Sequence, residues 1–298
     1  MTIDLVLTQF KCGSLALASR ANHCTLDGIA AQDLWANLAS LTLGEGMIMR
    51  PDPDRTLFKA RVPPMIIHTH FEYSKLLDSD ALFSTCGTCS HTLKQPSPHP
   101  PHLVYISSDR IAGLKTDALR DGRRVNCTTF HVIAARIWKA RSVVMGLPDD
   151  RMSTMLFPVD VRRRMVPQPP QELAENAVVP GYARASVHEI MTDGAPFLVG
   201  KVQEGLDRLT DDYVRSGIDW LEENKGVPCR VDSFSKVAWW KLGLEEFGWG
   251  KVRSVALIDL KPGLILLLSG DKEKGGINIC LELPPDQMKE FYKLMMED

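Results

Sequence analysis

The sequence predicts an α/β fold: mixed sheets covered by helices, divided between two domains. Three observations predict it. Short apolar runs rich in strand formers interleave with longer stretches of helical periodicity, and several strands come as hairpin pairs, which mixes strand directions. Hydrophobic residues make up 44% of the 298, enough for sizeable cores. A proline-studded tract over 51–102 carries little periodic pattern and is too long for a connection inside one compact unit, so it reads as an inter-domain crossover. The expected divisions are 1–50, the crossover 51–102, and 103–298.

Each element has its own reason. "IDLVLTQF" and "SLALASRA" flank "KCG" and read as two strands joined by a tight turn. In "GIAAQDLWANLASLTLG", Leu34, Leu38 and Leu41 recur at helical spacing and Gly44 stands where a helix stops. Prolines then cluster at Pro51, Pro53, Pro63 and Pro64, and again at Pro96, Pro98, Pro100 and Pro101, with one short strand expected around Phe83. "HLVYISS" reads as a strand, and "TTFHVIAARIWKARSVVMG" as a helix capped by Thr128 or Thr129 and ending near Gly146. "TMLFPVDV" reads as a buried strand running into Arg162–Arg164. The stretch from Pro196 to Asn224 is one long amphipathic helix or a broken pair, with Val202, Leu206, Leu209 and Tyr213 on its buried stripe. "SVALIDL", "LILLLSG" and "INICLEL" read as strands, and "PDQMKEFYKLMMED" as a closing helix.

Lys plus Arg total 35 and Asp plus Glu 37, a formal charge of −2, which gives no basis for a nucleic-acid or anionic-membrane partner. No apolar stretch has membrane-spanning length. The N-terminus lacks a basic start and carries Asp4 and Lys11, so it reads as structure and not as a signal peptide. Seven cysteines, an odd number without a framework spacing, fit free thiols in a reducing compartment, and the expected location is cytoplasmic.

Local chemistry offers several candidates. "NHCTLDG" places His23 four residues before Asp27, between the second strand and the first helix. It can be a base with a partner, half of a metal site, or two unrelated polar residues in a turn. Gly28 argues against the i, i+4 helical geometry that a zinc pair needs. Cys24 adjoins His23, but neighbours on extended chain point to opposite sides, which disfavours a thiol–imidazole couple. Cys86, Cys89 and His91, followed by His99 and His102, resemble half a zinc site without a second well-spaced pair. The guanidinium groups of Arg162 to Arg164 can clamp a phosphate or carboxylate, or simply be solvated. Trp239 and Trp240 are core residues unless an indole N–H donates inside a dry site. Phe247–Gly250, "FGWG", is a tight loop.

Taken in order, these pieces resemble the BAHD family of plant acyl-CoA-dependent acyltransferases. "HCTLDG" is similar to its HxxxDG motif, "VDVRRRMVPQPP" to its DxRxR-then-prolines segment, and "FGWGK" to its DFGWG motif. "CTTFHVIAARIWKAR" and "YVRSGIDWLEENKG" match further segments, so the resemblance runs along nearly the whole chain. "TQFKCGSLALASRANHCTLDG" and "DRTLFKARVPP" look most like members that esterify aliphatic or hydroxycinnamoyl partners. The resemblance implies a chloramphenicol-acetyltransferase-like two-domain fold with the site in a channel between the domains.

It also implies roles. His23 is the general base that takes a proton from an alcohol or amine acceptor, and the matching indole, Trp239, donates to the oxyanion. Asp27 turns away and pairs with an arginine, for which Arg162 is the candidate. Arg164, Thr128 and Thr129 are candidates for contacts to CoA, and Phe247, Gly248, Trp249 and Gly250 form a structural support. Acyl-CoA is a co-substrate; no metal and no permanently bound cofactor is expected, and the chain is expected to be monomeric. Departures from the family pattern stand beside these. His23 comes only 22 residues from the start, which implies an incomplete first domain. Glu246 replaces the motif aspartate, Leu173–Asn176 replaces a YFGN element, and Val237 stands where the family has Ser or Thr. The alternative reading is an impaired, truncated member acting as a binding or structural protein, or a gene-model fragment.

Overall fold

The computed structural model describes residues 3–23, 25–74, 99–122, 126–225, 227–228, 233–238, 243, 245–256, 260, 263–271 and 274–297. The chain divides into two compact units. Unit 1 comprises Met1–Lys59, Asp160–Val178 and Leu242–Val255; unit 2 comprises Ala60–Val159, Val179–Lys241 and Ala256–Asp298.

Unit 1 opens with the expected hairpin. Strands β1 (Asp4–Gln9) and β2 (Leu15–Arg20) pair antiparallel from Asp4↔Arg20 to Gln9↔Leu15. Gly13 supplies the positive φ (85°) at the turn, a conformation that a side chain disfavours. Helix α1 (Gly28–Leu43) follows, capped by Asp27 and stopped at Gly44, whose φ of 81° lets its N–H and that of Glu45 return to Leu41 and Ser40. The side chain of Asn37 then binds the chain after the helix, accepting from Ile48 N (2.9 Å) and Met49 N (3.0 Å) and donating to Met49 O (2.8 Å).

Unit 2 is built on a six-stranded mixed sheet. In chain order its strands are β4 (His102–Ile106), β5 (Met152–Asp160), β6 (Val178–Ser186), β8 (Ser233–Ala238), β11 (Leu264–Asp271) and β12 (Gly275–Leu281). The spatial order is β4-β12-β11-β8-β5-β6. The pairs β4/β12 and β12/β11 are antiparallel, whereas β11/β8 and β8/β5 are parallel. Short strands β3 (Tyr73–Ser74) and β7 (Val227–Pro228) pair separately. Among the described residues its helices are α2 (Ser108–Ala118), α3 (Thr129–Val144), α4 (Val187–Thr192), α5 (Ala195–Asp207), α6 (Asp211–Asn224) and α7 (Pro285–Met296). The core centres on α3, which contacts α2, α4, α5 and α7. Its Ile133, Ile137 and Trp138 are fully buried, and the indole N–H of Trp138 is satisfied by Ser153 Oγ at 2.9 Å.

Several expectations are adjusted by the structure. The long amphipathic stretch is two helices, α5 and α6, interrupted at 208–210, because Thr210 caps α6 by accepting from Tyr213 N. "SVALIDL" forms no strand at the described residues 254–256. Strands β6 and β8 and helices α2 and α4 went unread: Pro180 and Gly181 interrupt the β6 pattern, and β8 and α4 are only six residues each. The strand expected around Phe83 lies outside the described residues.

A buried polar lattice in unit 2 fixes the chain over 61–74 to α6. Ser216 Oγ accepts from Ile67 N (3.0 Å) and His68 N (3.1 Å) and lies 3.0 Å from His70 Nε2. His70 Nδ1 lies 2.7 Å from Glu72 Oε1, and Tyr213 donates its hydroxyl to Glu72 Oε2 at 2.9 Å. A hydroxyl oxygen accepts two hydrogen bonds and donates one. With both acceptor positions filled by the backbone, Ser216 donates to His70 Nε2, which puts the imidazole proton on Nδ1, facing Glu72. One helical turn on, Asp219 accepts from Arg61 N (2.8 Å), Arg61 Nε (2.6 Å) and Met65 N (2.8 Å).

Candidate active site

The motif turn lies in unit 1, between β2 and α1. Thr25 N–H donates to Asn22 O at 3.0 Å and closes the turn. The two ends of the motif have opposite environments: His23 is exposed, whereas Asp27 is 1% exposed.

Asp27 is occupied from every side. Its Oδ1 accepts Ile29 N and Ala30 N, each at 3.0 Å, which is the N-cap of α1. Its Oδ2 accepts Arg162 Nη1 at 2.9 Å and Ala177 N at 2.9 Å, and Arg162 Nη2 reaches Oδ1 at 3.3 Å. A carboxylate has about four lone-pair directions. Five N–H donors therefore leave no acceptor for a substrate proton. Asp27 holds shape: it joins the helix start to the 160–178 segment of unit 1.

Arg162 completes that junction. Nη1 also donates to Asp160 Oδ1 at 2.9 Å, and Nη2 to the carbonyls of Glu175 (2.8 Å) and Leu173 (3.4 Å). Burial alone would lower the Arg162 pKa, but the hydrogen bonds and charges of Asp27 and Asp160 together outweigh it, so the group is held charged. The pairing named for Asp27 is thus present in the fold. Nearby Asp33 has its pKa raised by burial.

The loop at 173–177 grips both ends of the turn. Adjacent residues do this: the Asn176 side-chain amide donates to the His23 carbonyl, and the Ala177 N–H to Asp27. Sequence reasoning treated "LAEN" only as a departure from a pattern. The available signal was the asparagine itself, the one side chain in that stretch that both donates and accepts. Asp160, the first residue of the DxR pattern, also went without a role.

The "FGWG" loop supports α1. Strands β9 (Glu246–Phe247) and β10 (Gly250–Lys251) form a short hairpin, with Phe247 buried and its ring stacked on Trp249 at 5.1 Å and 11°. Gly248 N–H donates to Thr42 Oγ1 at 2.8 Å, and a Cβ there would strike the Thr42 carbonyl. Only glycine allows this approach.

The remaining candidates are divided between the two units. Arg164 is in unit 1 and half-buried. Thr128 and Thr129 are in unit 2, where Thr128 caps α3 in a reciprocal arrangement with His131. Trp239, Trp240, Cys24, Cys86, Cys89 and His91 lie outside the described residues, and nothing is described of the side chain of Val237. Among the described residues no group of three or more His, Cys, Asp or Glu side chains could hold a metal ion. Among them, too, no helix is long and apolar enough to cross a membrane.

A family model described as "Transferase family" matches residues 3–298. Among curated proteins, the chain is 33% identical over 297 residues to "Acyltransferase GLAUCE" of Arabidopsis thaliana, covering 96% of this chain and 64% of that one. It is 30% identical over 292 residues to "Fatty alcohol:caffeoyl-CoA acyltransferase" of Arabidopsis thaliana, covering 97% and 66%. The chain thus spans somewhat less than two thirds of the length of these relatives. Among solved structures it is similar to vinorine synthase, with a TM-score of 0.68 at 20% identity over 97% of this chain and 63% of the other, a likeness of fold.

Proposed function

This chain belongs to the Transferase family, the BAHD acyltransferases, and from that membership we propose that it moves an acyl group from acyl-CoA to an alcohol or amine, with His23 as general base. One observation carries the assignment of roles. Within the HxxxD turn the carboxylate is buried and fully bonded, whereas the imidazole is exposed, so only His23 has a free acid–base function.

In this reading the acceptor oxygen attacks the thioester carbonyl carbon as its proton passes to a ring nitrogen of His23. The carbonyl π electrons move onto oxygen, giving a tetrahedral oxyanion for which Trp239 is the proposed N–H donor. The carbon–sulfur bond then breaks, the carbonyl re-forms, and the imidazolium returns its proton to the departing sulfur. The products are an ester or amide and free CoA thiol. No covalent acyl-enzyme is needed, and Cys24 has no part. Arg164, Thr128 and Thr129 are proposed to contact CoA, and the loop at Phe247–Gly250 to hold α1. No metal takes part.

The name of one relative supports a substrate class: a fatty alcohol as acceptor and caffeoyl-CoA, a hydroxycinnamoyl thioester, as donor. We place the protein in the cytoplasm as a monomer. The test is release of CoA thiol by the full chain with caffeoyl-CoA and a long-chain primary alcohol. His23→Ala is expected to lower the rate by about 10²–10⁴-fold. Wild type releasing no more thiol than His23→Ala would leave a binding or structural family member instead of an enzyme.

A further inference from the structure

Glu175 is 4% exposed, and only one of its oxygens is engaged: Oε2 lies 3.1 Å from Arg55 Nε, while buried Oε1 has no hydrogen-bond partner. Burial pushes its pKa up, opposed by the charges of Arg55 and Arg162. A half-satisfied buried carboxylate is costly wherever it stands. This one stands in the loop that grips the motif turn. On one side of it the Glu175 carbonyl binds Arg162, and the next two residues bind His23 O and Asp27. On the other, the loop is laced to the segment carrying Arg55: Asp52 N donates to Glu172 O and Ala174 N to Asp52 O, both at 2.8 Å. The Arg55 side chain is half exposed, at 53%, so it sits at the mouth of the cluster with its Nε on Glu175 Oε2.

We propose that Arg55 and Glu175 form a positioning pair for His23: the arginine holds the glutamate in place, and the glutamate holds the 173–177 loop against the motif turn. The pair touches no reacting atom. Its effect on catalysis rests on the reading of His23 as the base. Without Arg55, Oε2 of Glu175 loses its partner as well, and a buried carboxyl with neither oxygen bonded, beside Asp27 and Asp54, draws the loop toward water. A displacement of about 1 Å at a catalytic base costs on the order of 10²-fold in rate.

The test uses the full chain with caffeoyl-CoA and a long-chain primary alcohol. Arg55→Gln is expected to lower kcat roughly 10- to 100-fold with KM within about twofold, and to speed hydrogen exchange of the Ala177 amide. Arg55→Gln combined with Glu175→Gln, which removes the stranded carboxyl, is expected to return kcat to within about threefold of wild type and to restore protection of that amide. An Arg55→Gln variant with wild-type kcat and exchange overturns the proposal. So does a double variant as impaired as the single one, because Arg55 would then act independently of Glu175. His23→Ala in the same assay separates the two readings. If it keeps wild-type activity, the base assignment falls, and the exchange of Ala177 alone still decides whether the pair holds the loop.

Discussion

Asp27 and Arg162, 135 residues apart in sequence, meet with Nη1 to Oδ2 at 2.9 Å and Nη2 to Oδ1 at 3.3 Å, and both are nearly excluded from solvent. The pair fastens the start of α1 to the chain that follows β5. Because the carboxylate is also the helix cap, one side chain carries two structural duties. Removing either partner strands a buried charge. Asp27→Ala is therefore expected to cost about 3–5 kcal/mol in denaturant unfolding. Arg162→Ala is expected to cost about as much, and Arg162→Lys, which keeps the charge but loses the planar fork that serves Asp27, Asp160 and two carbonyls together, should recover less than half of that loss.

The lattice over α6 predicts a second effect. Ser216→Ala removes the acceptor of two backbone N–H groups and the donor to His70. Each buried group left unpaired costs about 1–3 kcal/mol. The expected loss is about 3 kcal/mol, with faster hydrogen exchange at Ile67 and His68. Nitrogen NMR of the imidazole should show the proton of neutral His70 on Nδ1. An Nε2–H tautomer would refute the hydrogen-bond count.

Asp219 predicts a pH dependence with a definite sign. Burial acts to raise its pKa, but hydrogen bonds from Met65 N and from Arg61 outweigh it and hold the group below its ordinary 3.8. A carboxyl with a depressed folded pKa stabilises the fold above its unfolded pKa, and that contribution is lost as pH falls through the folded value. Asp219→Asn should thus be destabilised by about 3 kcal/mol at pH 7. The gap to wild type should narrow below about pH 4. Urea midpoints across pH check this; a gap that stays constant into acid would contradict it.

Gly205 predicts a reversal of helix propensity. In an exposed helix interior, Gly→Ala gains about 1 kcal/mol. In α5 a Cβ at this position would collide with the Tyr182 carbonyl and approach Phe157 Cζ to 2.9 Å. Gly205→Ala is expected to lose about 1–3 kcal/mol by thermal unfolding, with α5 pushed away from β6.

Much of the fold is legible in the sequence because its signals are local. The β1–β2 hairpin follows from two strand-forming runs around a glycine turn, and α1 and α3 follow from periodicity together with Gly44 at the end of one and Thr128 at the start of the other. Strands need a partner as well as a pattern. That is why "SVALIDL", largely apolar, makes no strand at the described residues 254–256, while "VVPGYARAS", broken by Pro180 and Gly181, becomes β6 beside β5.

By itself the sequence determined the first hairpin and the helices α1, α3 and α7, the ordered motifs and hence the family, and the side chains able to do acid–base chemistry. Tertiary structure decided which of them are free to do it. The pairing of Asp27 with Arg162 is legible through family resemblance but not through spacing. The holds of Asn176 on His23, of Arg55 on Glu175 and of Thr42 on Gly248 are legible through neither. The physical reason is that a sequence records which groups carry charge or hydrogen-bonding capacity, whereas their partners are set by how distant segments pack. Burial then makes each pairing obligatory, because a polar group removed from water must be satisfied within the fold.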